Sequence, residues 1–268
     1  MYGGSAYREA FLLPPVTVAF CEGPMEWAPS GQGLPRWRGS TLNPFGLERV
    51  GQAFGFFDTE PLVRLAKKGV DFGAAGLPPG LRPVGSDCGS AEQWARFGSS
   101  MLPDMLALGQ ARLVTDPIAA AKVIVHPVAI VDKAKPPPGK PQKSRMIHNL
   151  AGRLWDPVSR LRFPSFNDAT PHKDLPSVPL AQVSDVVAAL VLLSREGFRE
   201  TVHGATVDLQ AAYYQVALHV SKLLLLGFMF EGLVYVVTGL PFGSKASPSI
   251  FCRFVNLVWF ALRSLLVH

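Results

Sequence analysis

The sequence predicts an α+β fold, in which antiparallel hairpins of β-strands pack with separate helices. Residues 122–150 and residues 223–238 each contain two apolar stretches, rich in β-branched or aromatic side chains, with a turn signal between them. Other stretches repeat apolar side chains at the spacing of a helix. The 25 glycines and 24 prolines among 268 residues argue against a plain helical bundle.

The composition excludes several classes of protein. Because 48% of the residues are hydrophobic and only 17% are charged, we do not expect the whole chain to be disordered. No uninterrupted apolar run reaches the roughly 18 residues of a membrane span, so we expect no membrane partner. Cys21, Cys88 and Cys252 are widely spaced, which argues against a disulfide scaffold and a zinc ribbon and favours a reducing compartment, the cytoplasm or the nucleus.

The first third of the chain has the weakest pattern. Residues 1–91 are rich in glycine, proline and aromatic side chains without sustained periodicity, so we expect a poorly structured or unassigned region. A helix is predicted to begin after Ser90 and to end at Gly109, with Pro103 dividing it. Regular structure is therefore expected from about residue 92 onward.

Positive charge is concentrated in one part of the chain. Residues 131–173 contain nine basic and three acidic side chains, a surplus that equals the formal net charge of +6 of the whole chain. Two predicted strands, residues 122–131 and 144–150, flank an exposed Pro-Gly tip at residues 135–142, which together make a β-ribbon that presents cations. A nucleic acid, a nucleotide or an anionic surface suits such a ribbon. A solvated lysine-rich loop explains the charge alone equally well.

A strand and a hairpin are predicted after residue 200. Residues 201–209 predict a strand with Asp208 at its end, although an aspartate after a strand is more often a turn residue. Residues 223–238 predict a hairpin that turns at Glu231 and Gly232.

The last predicted element is a long apolar helix. The glycine-containing loop at residues 239–243 leads into it, and we expect it to begin at Ser247 and Pro248, which favour a helix start. Its apolar side chains lie on nearly all sides, so it should be buried on several sides. The amides of such a start suit an anion, and an ordinary capped helix is the alternative.

Five short motifs follow one another from about Trp94 to the end of the chain. They are Arg145-Met-Ile-His-Asn-Leu150, Phe166-Asn167-Asp168, Asp208-Leu209-x-Ala-Ala-Tyr213-x-Gln215, Leu240-Pro241-Phe242-Gly243 and Ala246-x-Pro248-x-x-Phe251. Their order resembles that of a retroelement reverse transcriptase, most of all the retrotransposon branch that includes the DIRS-like elements.

The resemblance implies a fold made of fingers and the first part of a palm. Residues 92–180 would form a fingers-like region with the basic ribbon. Residues 181–268 would begin a ferredoxin-like palm, an antiparallel sheet with packed helices, and the hairpin within residues 217–240 would pack with the fingers. The implied activity is RNA-directed DNA polymerisation, with an RNA or DNA template-primer and dNTPs as partners.

The resemblance also implies a nucleotide site. Arg145 matches the cation that grips the triphosphate, and Tyr213 matches the ring that rejects a ribose 2′-hydroxyl. Phe242 and Gly243 match the loop beside the nucleotide and the template. Simple core packing is the alternative role for Tyr213 and Phe242. The predicted nucleic-acid contacts are Lys133, Lys135, Lys140, Lys143 and Lys245.

The implied metal site is incomplete within these residues. Asp208 matches the first catalytic carboxylate, which binds Mg²⁺, and the backbone carbonyl of Leu209 would be a further ligand. The family also needs a Tyr-x-Asp-Asp motif, yet no aspartate or glutamate follows Glu231. One carboxylate cannot hold the two metals of nucleotidyl transfer in place.

We therefore expect a C-terminally truncated polymerase that is inactive as an isolated chain. Its further partner would be the missing palm and thumb or another chain. The alternative is a non-catalytic nucleic-acid-binding module derived from the same fold, and a product without function is a third interpretation.

Overall fold

The computed structural model combines helices with small antiparallel sheets, which is the α+β class that the sequence predicts. The predicted strand that ends at Asp208 lies outside the described residues. The structure describes residues 42–74, 76–134, 136–139, 142–171 and 211–266, with a few positions between 187 and 197.

The helices begin and end largely where local signals place them. The hydroxyl of Ser90 accepts a hydrogen bond from the amide of Gln93, and the amide of Ser90 donates to the side-chain oxygen of Gln93. This capping box starts the predicted helix. That helix runs through a π-helical turn, Phe97–Met101, and Pro103 lies just after the turn. Within the described ranges the helices in chain order are α1 (Pro44–Phe54), α2 (Thr59–Lys68), α3 (Ala91–Arg96), α4 (Leu102–Ala107), α5 (Pro117–Lys122), α6 (Phe166–Ala169) and α7 (Ala246–Leu266).

None of the helices in the described part of the chain combines the length and the apolar content that crossing a membrane requires. Two further turns are 3₁₀-helical, Ala212–Gln215 and Val220–Leu225.

The strands of the described residues form three small antiparallel sheets. The first sheet has the order β1–β5–β6, the second β2–β8–β7, and the third is the pair β3–β4. The hairpin β7–β8 turns at Glu231 and Gly232, which both have positive φ, as a tight hairpin turn requires. The strands are β1 (Arg82–Pro83), β2 (Ala111–Leu113), β3 (Val128–Asp132), β4 (Ser144–His148), β5 (Leu154–Trp155), β6 (Arg162–Phe163), β7 (Gly227–Phe230) and β8 (Leu233–Val237).

The first predicted strand of the ribbon differs from the structure at Pro127. Ile124 donates its amide to Leu224 and His126 donates to Gly227, so this stretch contacts the chain just before β7 and the first residue of β7 through a single parallel bridge. After Pro127 the chain pairs with β4 instead. Proline has no amide hydrogen to donate, which suits the point where a chain changes partners.

Residues 42–91, which the sequence left without an assignment, share the main core. Leu62 and Leu65 of α2 are fully buried in the same cluster as Phe228 of β7 and Leu257 of α7. Burial of such apolar side chains is the main favourable term in folding. The helices α1 and α2 are therefore part of the same folded unit as the ribbon and α7.

The chain after α2 also joins the backbone near the predicted nucleotide site. Val70 donates its amide to Ala217 and accepts from the amide of His219. Residues 216–218 also pair with residues 238–240, and the amide of Leu218 donates to the carbonyl of Thr238 over 2.8 Å. Two segments that are distant in sequence, one at Val70 and one at residues 238–240, thus hold the chain that follows Tyr213.

Candidate functional site

The β3–β4 ribbon places Arg145 on its outward face. Arg145 lies opposite Val131, and both side chains are exposed. The neighbouring positions on β4, Met146 and His148, are buried in the core. Side chains alternate between the faces of a strand, so Arg145 points away from the core.

Lys133 and Lys143 continue this outward face beyond the strands. Lys133 donates its amide to the carbonyl of Lys143 over 2.8 Å. The side-chain amide of Gln142 donates to both carbonyls, at 2.9 and 3.0 Å. Both lysines are exposed and, by strand alternation, lie on the side of Arg145. We name Lys133, Lys143 and Arg145 the ribbon face. Lys133 and Lys143 lie opposite each other, and like charges in this position repel.

The one carboxylate of the two strands, Asp132, belongs to the inward side. It accepts from Ser144 Oγ at 2.6 Å and pairs with Arg96 at 2.7 Å. The hydrogen bond from Ser144 and the pairing with Arg96 hold the pKa of Asp132 below its usual value. Among the residues that β3 and β4 contribute, no carboxylate therefore neutralises the ribbon face.

The inner end of β4 joins the Leu240–Gly243 motif. His148 donates its amide to the carbonyl of Phe242 over 2.9 Å. Gly243 has φ of +110°, and a Cβ at this position would lie 1.9 Å from the carbonyl oxygen of His148. Only glycine tolerates this backbone conformation so close to another main chain.

The imidazole of His148 is buried beside His126. Neither ring nitrogen of His148 has a hydrogen-bond partner among the described residues. Burial, and then the proximity of His126, lower the pKa of His148 to about 3. Burial lowers the pKa of His126 to about 4, although its ring donates to the carbonyl of Leu225. Both imidazoles are therefore neutral at pH 7.

Asn167 connects two motifs through its side-chain amide. Its Nδ2 donates to the carbonyl of Gly243 over 2.9 Å, and its Oδ1 accepts from the amide of Lys245 over 3.0 Å. Its own amide donates to Leu150 at the end of the Arg145 motif. The sequence marked Asn167 as part of a motif but not as the residue that positions the Phe242 loop.

Tyr213 and Phe242 form an aromatic pair. Their ring centroids lie 4.7 Å apart, and Phe251 of α7 packs at 5.5 Å from Tyr213. Tyr213 and Phe242 are both only partly buried. Tyr214 is buried instead, and burial raises the pKa of its phenol.

The start of α7 is one residue earlier than the sequence predicts. The helix begins at Ala246, whose amide donates to Ser244 Oγ over 3.2 Å. Ser247 does not cap the helix, because its hydroxyl donates to the carbonyl of Pro241 over 2.9 Å. The amide of Lys245 is bonded to Asn167, and its side chain is exposed. Protein groups thus satisfy the amides of Lys245 and Ala246, as in an ordinary capped helix.

The predicted metal ligands lie outside the described residues. These ligands are Asp208 and the carbonyl of Leu209. Two of the predicted nucleic-acid contacts, Lys135 and Lys140 of the ribbon tip, also lie outside the described residues. Within the part of the chain that the structure describes, no three His, Cys, Asp or Glu side chains form a group that could hold a metal ion. Mg²⁺ binding therefore stays a prediction.

No protein-family model matches this chain, and neither does any curated protein sequence. The chain is similar at low identity to solved structures of viral enzymes. The native protease-reverse transcriptase of prototype foamy virus is 17% identical, with a TM-score of 0.43, over 69% of this chain and 20% of that one. A foamy viral protease-reverse transcriptase in complex with double-stranded DNA is 16% identical, with a TM-score of 0.44, over 88% of this chain and 37% of that one.

A third foamy viral structure, in complex with an RNA/DNA hybrid, is 16% identical, with a TM-score of 0.40, over 80% of this chain and 26% of that one. The chain thus spans about a fifth to two fifths of the length of these enzymes. Likeness at these values establishes neither a family nor an activity for this chain.

Proposed function

We propose that this chain is a segment of a retrotransposon-type RNA-directed DNA polymerase and that it binds nucleic acid through the ribbon face. The observation that carries the proposal is the position of Lys133, Lys143 and Arg145 on one exposed face, without a carboxylate from the same strands. Holding Lys133 opposite Lys143 costs electrostatic repulsion, and a bound phosphate offsets it. A row of cations on one face is the footprint of phosphate-backbone binding.

The contacts around Gly243 support a nucleotide site in the same proposal. Asn167, His148 and Tyr213 come from three separate motifs, and each contacts the Phe242–Gly243 loop. Arg145 lies three residues before His148, or roughly 10 Å along the strand. A triphosphate that contacts Arg145 is thus within reach of the loop. In this role the Tyr213 ring would exclude a 2′-hydroxyl, and the Phe242 ring, which packs against it, would hold the Tyr213 ring in place.

Asp208 and the carbonyl of Leu209 would hold Mg²⁺ in this proposal, and the metal would supply charge neutralisation for nucleotidyl transfer. The second acidic motif of that chemistry is not among the 268 residues. We expect the 268-residue polypeptide to bind a template-primer without extending it. Magnesium-dependent incorporation of dNTPs by this polypeptide alone would contradict that expectation.

The test of the ribbon face is a salt titration of binding. Fluorescence anisotropy with a labelled RNA/DNA duplex compares the wild type with a variant that carries Lys133→Gln, Lys143→Gln and Arg145→Gln. The plot of log K against log salt concentration should become shallower by about 2 to 3, because each lost phosphate contact removes about 0.7 to 0.9. The matched control neutralises three exposed cations elsewhere, Arg49, Arg112 and Lys122. Equal slopes for the two variants would refute the proposal.

A non-catalytic binding module is the second candidate, because the cations of the ribbon face act without Asp208. The two functions differ in their response to the next complementary dNTP. A polymerase segment should hold the template-primer more tightly when dNTP and Mg²⁺ are added, and Asp208→Asn should abolish the gain. A binding module should respond to neither the dNTP nor the substitution.

A further inference from the structure

The sheet β1–β5–β6 places two arginines and a tryptophan in one row. Arg82 pairs with Trp155, and Trp155 pairs with Arg162 on its other side. Directly opposed residues of neighbouring strands lie on the same face of a sheet. Leu154, on the other face, is fully buried and packs against Phe163. The Trp155 row, Arg82, Trp155 and Arg162, therefore lies on the face opposite Leu154, with Arg162 exposed and with Arg82 and Trp155 half-buried.

The exposed cations around this row form no ion pair among the described residues. Arg153 lies two residues before Trp155 and hence on the same face, and Arg160 follows in the turn to β6. Arg153, Arg160 and Arg162 are exposed. Across the residues that the structure describes, no carboxylate lies within ion-pair distance of these three guanidinium groups.

Asp156, the one acid of this hairpin, is used by the turn itself. Its carboxylate accepts from Ser159 Oγ at 2.6 Å and from the amide of Val158 at 2.9 Å. These hydrogen bonds keep the pKa of Asp156 below its usual value. The carboxylate is thus occupied in closing the turn.

The centre of the row is held in place by backbone contacts. The indole Nε1 of Trp155 donates to the carbonyl of Pro83 over 3.1 Å. Arg82 donates to the carbonyls of Gly80 and Leu81 at 3.1 Å and to that of Val123 at 2.8 Å. Trp155 and Arg82 are therefore ordered before any ligand arrives, while Arg153 and Arg162 extend into solvent. Pre-ordered contact groups lower the entropy cost of binding.

We propose that this face binds single-stranded nucleic acid, with an unpaired base stacked on Trp155 and the flanking phosphates on Arg153 and Arg162. An aromatic side chain among cations is the arrangement that single strands use, because every base has a π-face and every linkage a charge. In a duplex the base faces are already stacked, so this contact discriminates against double strands. The site lies on a different sheet from the ribbon face, and it rests on the proposed function only in sharing nucleic acid as the partner.

The charge of the face decides between nucleic acid and a protein partner. Val158 and Leu161 in the turn are 89% and 61% exposed, and exposed apolar side chains suit either. Three guanidinium groups without an available carboxylate favour a polyanion. If Trp155→Leu binds both nucleic acids as the wild type does, in the experiment described below, the result would point to a protein partner instead.

The test measures anisotropy with a labelled RNA of about 20 nucleotides and with the duplex of the same sequence. Trp155→Leu should weaken binding of the single strand about 5- to 100-fold and leave the duplex within about twofold, because only the single strand offers a base to stack. Trp155→Phe keeps a ring but loses the indole N–H, and it should retain most of the affinity. Trp259→Leu, at an exposed tryptophan on α7, is the matched control and should change neither affinity.

Arg162→Gln supplies a second measurement, since an exposed side chain can be changed without loss of the fold. It should reduce the salt dependence of single-strand binding by about 0.7. An unchanged single-strand affinity of folded Trp155→Leu, or an equal loss on the duplex, would overturn the inference. If Trp155→Leu does not fold, an unchanged salt dependence of Arg162→Gln overturns it instead. A wild-type protein that binds neither nucleic acid would refute the proposed function as well.

Discussion

The ribbon face and the contacts that anchor α7 use polar side chains in opposite ways. The ribbon face exposes Lys133, Lys143 and Arg145 without a carboxylate from its own strands. The contacts that anchor α7 bury their polar groups, and each of these groups has a partner. We name Asp58, Asn167, Gly243 and Arg253 the α7 junction. A buried polar group without a partner is costly, whereas an exposed one is hydrated, so the junction should govern stability and the ribbon face should govern binding.

The largest effect on stability is expected at the buried ion pair of the junction. Arg253 donates from Nε to Asp58 over 2.7 Å and makes a second hydrogen bond from its other arm. Arg253→Met leaves the Asp58 carboxylate buried and unpaired, which should cost about 3 to 5 kcal/mol in the free energy of unfolding. Urea denaturation measures the loss.

The double variant Arg253→Met, Asp58→Leu is the control for this pair. It should recover much of the loss, because apolar side chains replace both charges. A single variant that loses less than about 1 kcal/mol would show that the pair is solvated and would erase the contrast with the ribbon face.

Two glycines with positive φ sharpen the comparison. Gly243→Ala places a methyl group 1.9 Å from the carbonyl oxygen of His148, so the backbone must move, at a cost of about 3 kcal/mol or more. Gly139, near the ribbon tip, has φ of +79° and nothing within 4 Å of an added Cβ. Gly139→Ala should cost only about 1 to 2 kcal/mol, from backbone strain alone. Equal losses in urea denaturation would mean that the close approach at Gly243 does not constrain the fold.

Acid should lower the stability of the fold through the two buried histidines, His126 and His148, and should leave the ribbon face unchanged. In the unfolded chain an imidazole protonates near pH 6.5, whereas the folded pKa values are about 4 for His126 and about 3 for His148. Between these values the unfolded state binds more protons, so stability falls as pH falls below about 6.5. From pH 7.5 to 5.5 the two groups should together lose about 2 to 3 kcal/mol.

Urea denaturation at several pH values measures this dependence. His148→Leu should remove about half of the slope in this window, since one of the two titrating groups is gone. A wild-type stability that stays level down to pH 5 would contradict the burial of these rings.

The smallest effect on stability is expected at the ribbon face itself. Neutralising Lys133, Lys143 and Arg145 together should change the free energy of unfolding by about 0.5 kcal/mol or less, although it weakens nucleic-acid binding. Thermal denaturation of the same protein that is used for the anisotropy titration measures this. A large loss of stability would mean that these side chains support the fold, and the binding data would then need another explanation.

Local signals predicted the elements that local interactions stabilise. Ser90 and Gln93 form a capping box within one turn, and Glu231 with Gly232 makes the hairpin turn between two neighbouring strands. Each of these features depends on residues a few positions apart, which is the range that periodicity and turn propensity report.

The same signals failed where the contact partner is distant in the chain. The sequence placed a helix start at Ser247, but Ser247 bonds to the loop at Pro241 and the preceding Ser244 accepts from the first helical amide. It predicted one extended segment over residues 122–131 with an edge or a bulge at Pro127, where the chain passes from a single bridge at Gly227 to the pairing with β4. Asn167 appeared as a motif residue without a role, since its partners, Gly243 and Lys245, lie more than 70 positions away.

The sequence by itself determined the α+β class, the cationic ribbon and the order of motifs that suggests a polymerase. Only the tertiary structure decided that α1 and α2 belong to the same core as α7, that Asp58 pairs with Arg253 across 195 positions, and that Arg82, Trp155 and Arg162 share one row. The physical reason is the range of the interactions. Caps, turns and alternation are set by neighbours in the chain, whereas burial and cross-sheet register depend on which distant segments exclude water together.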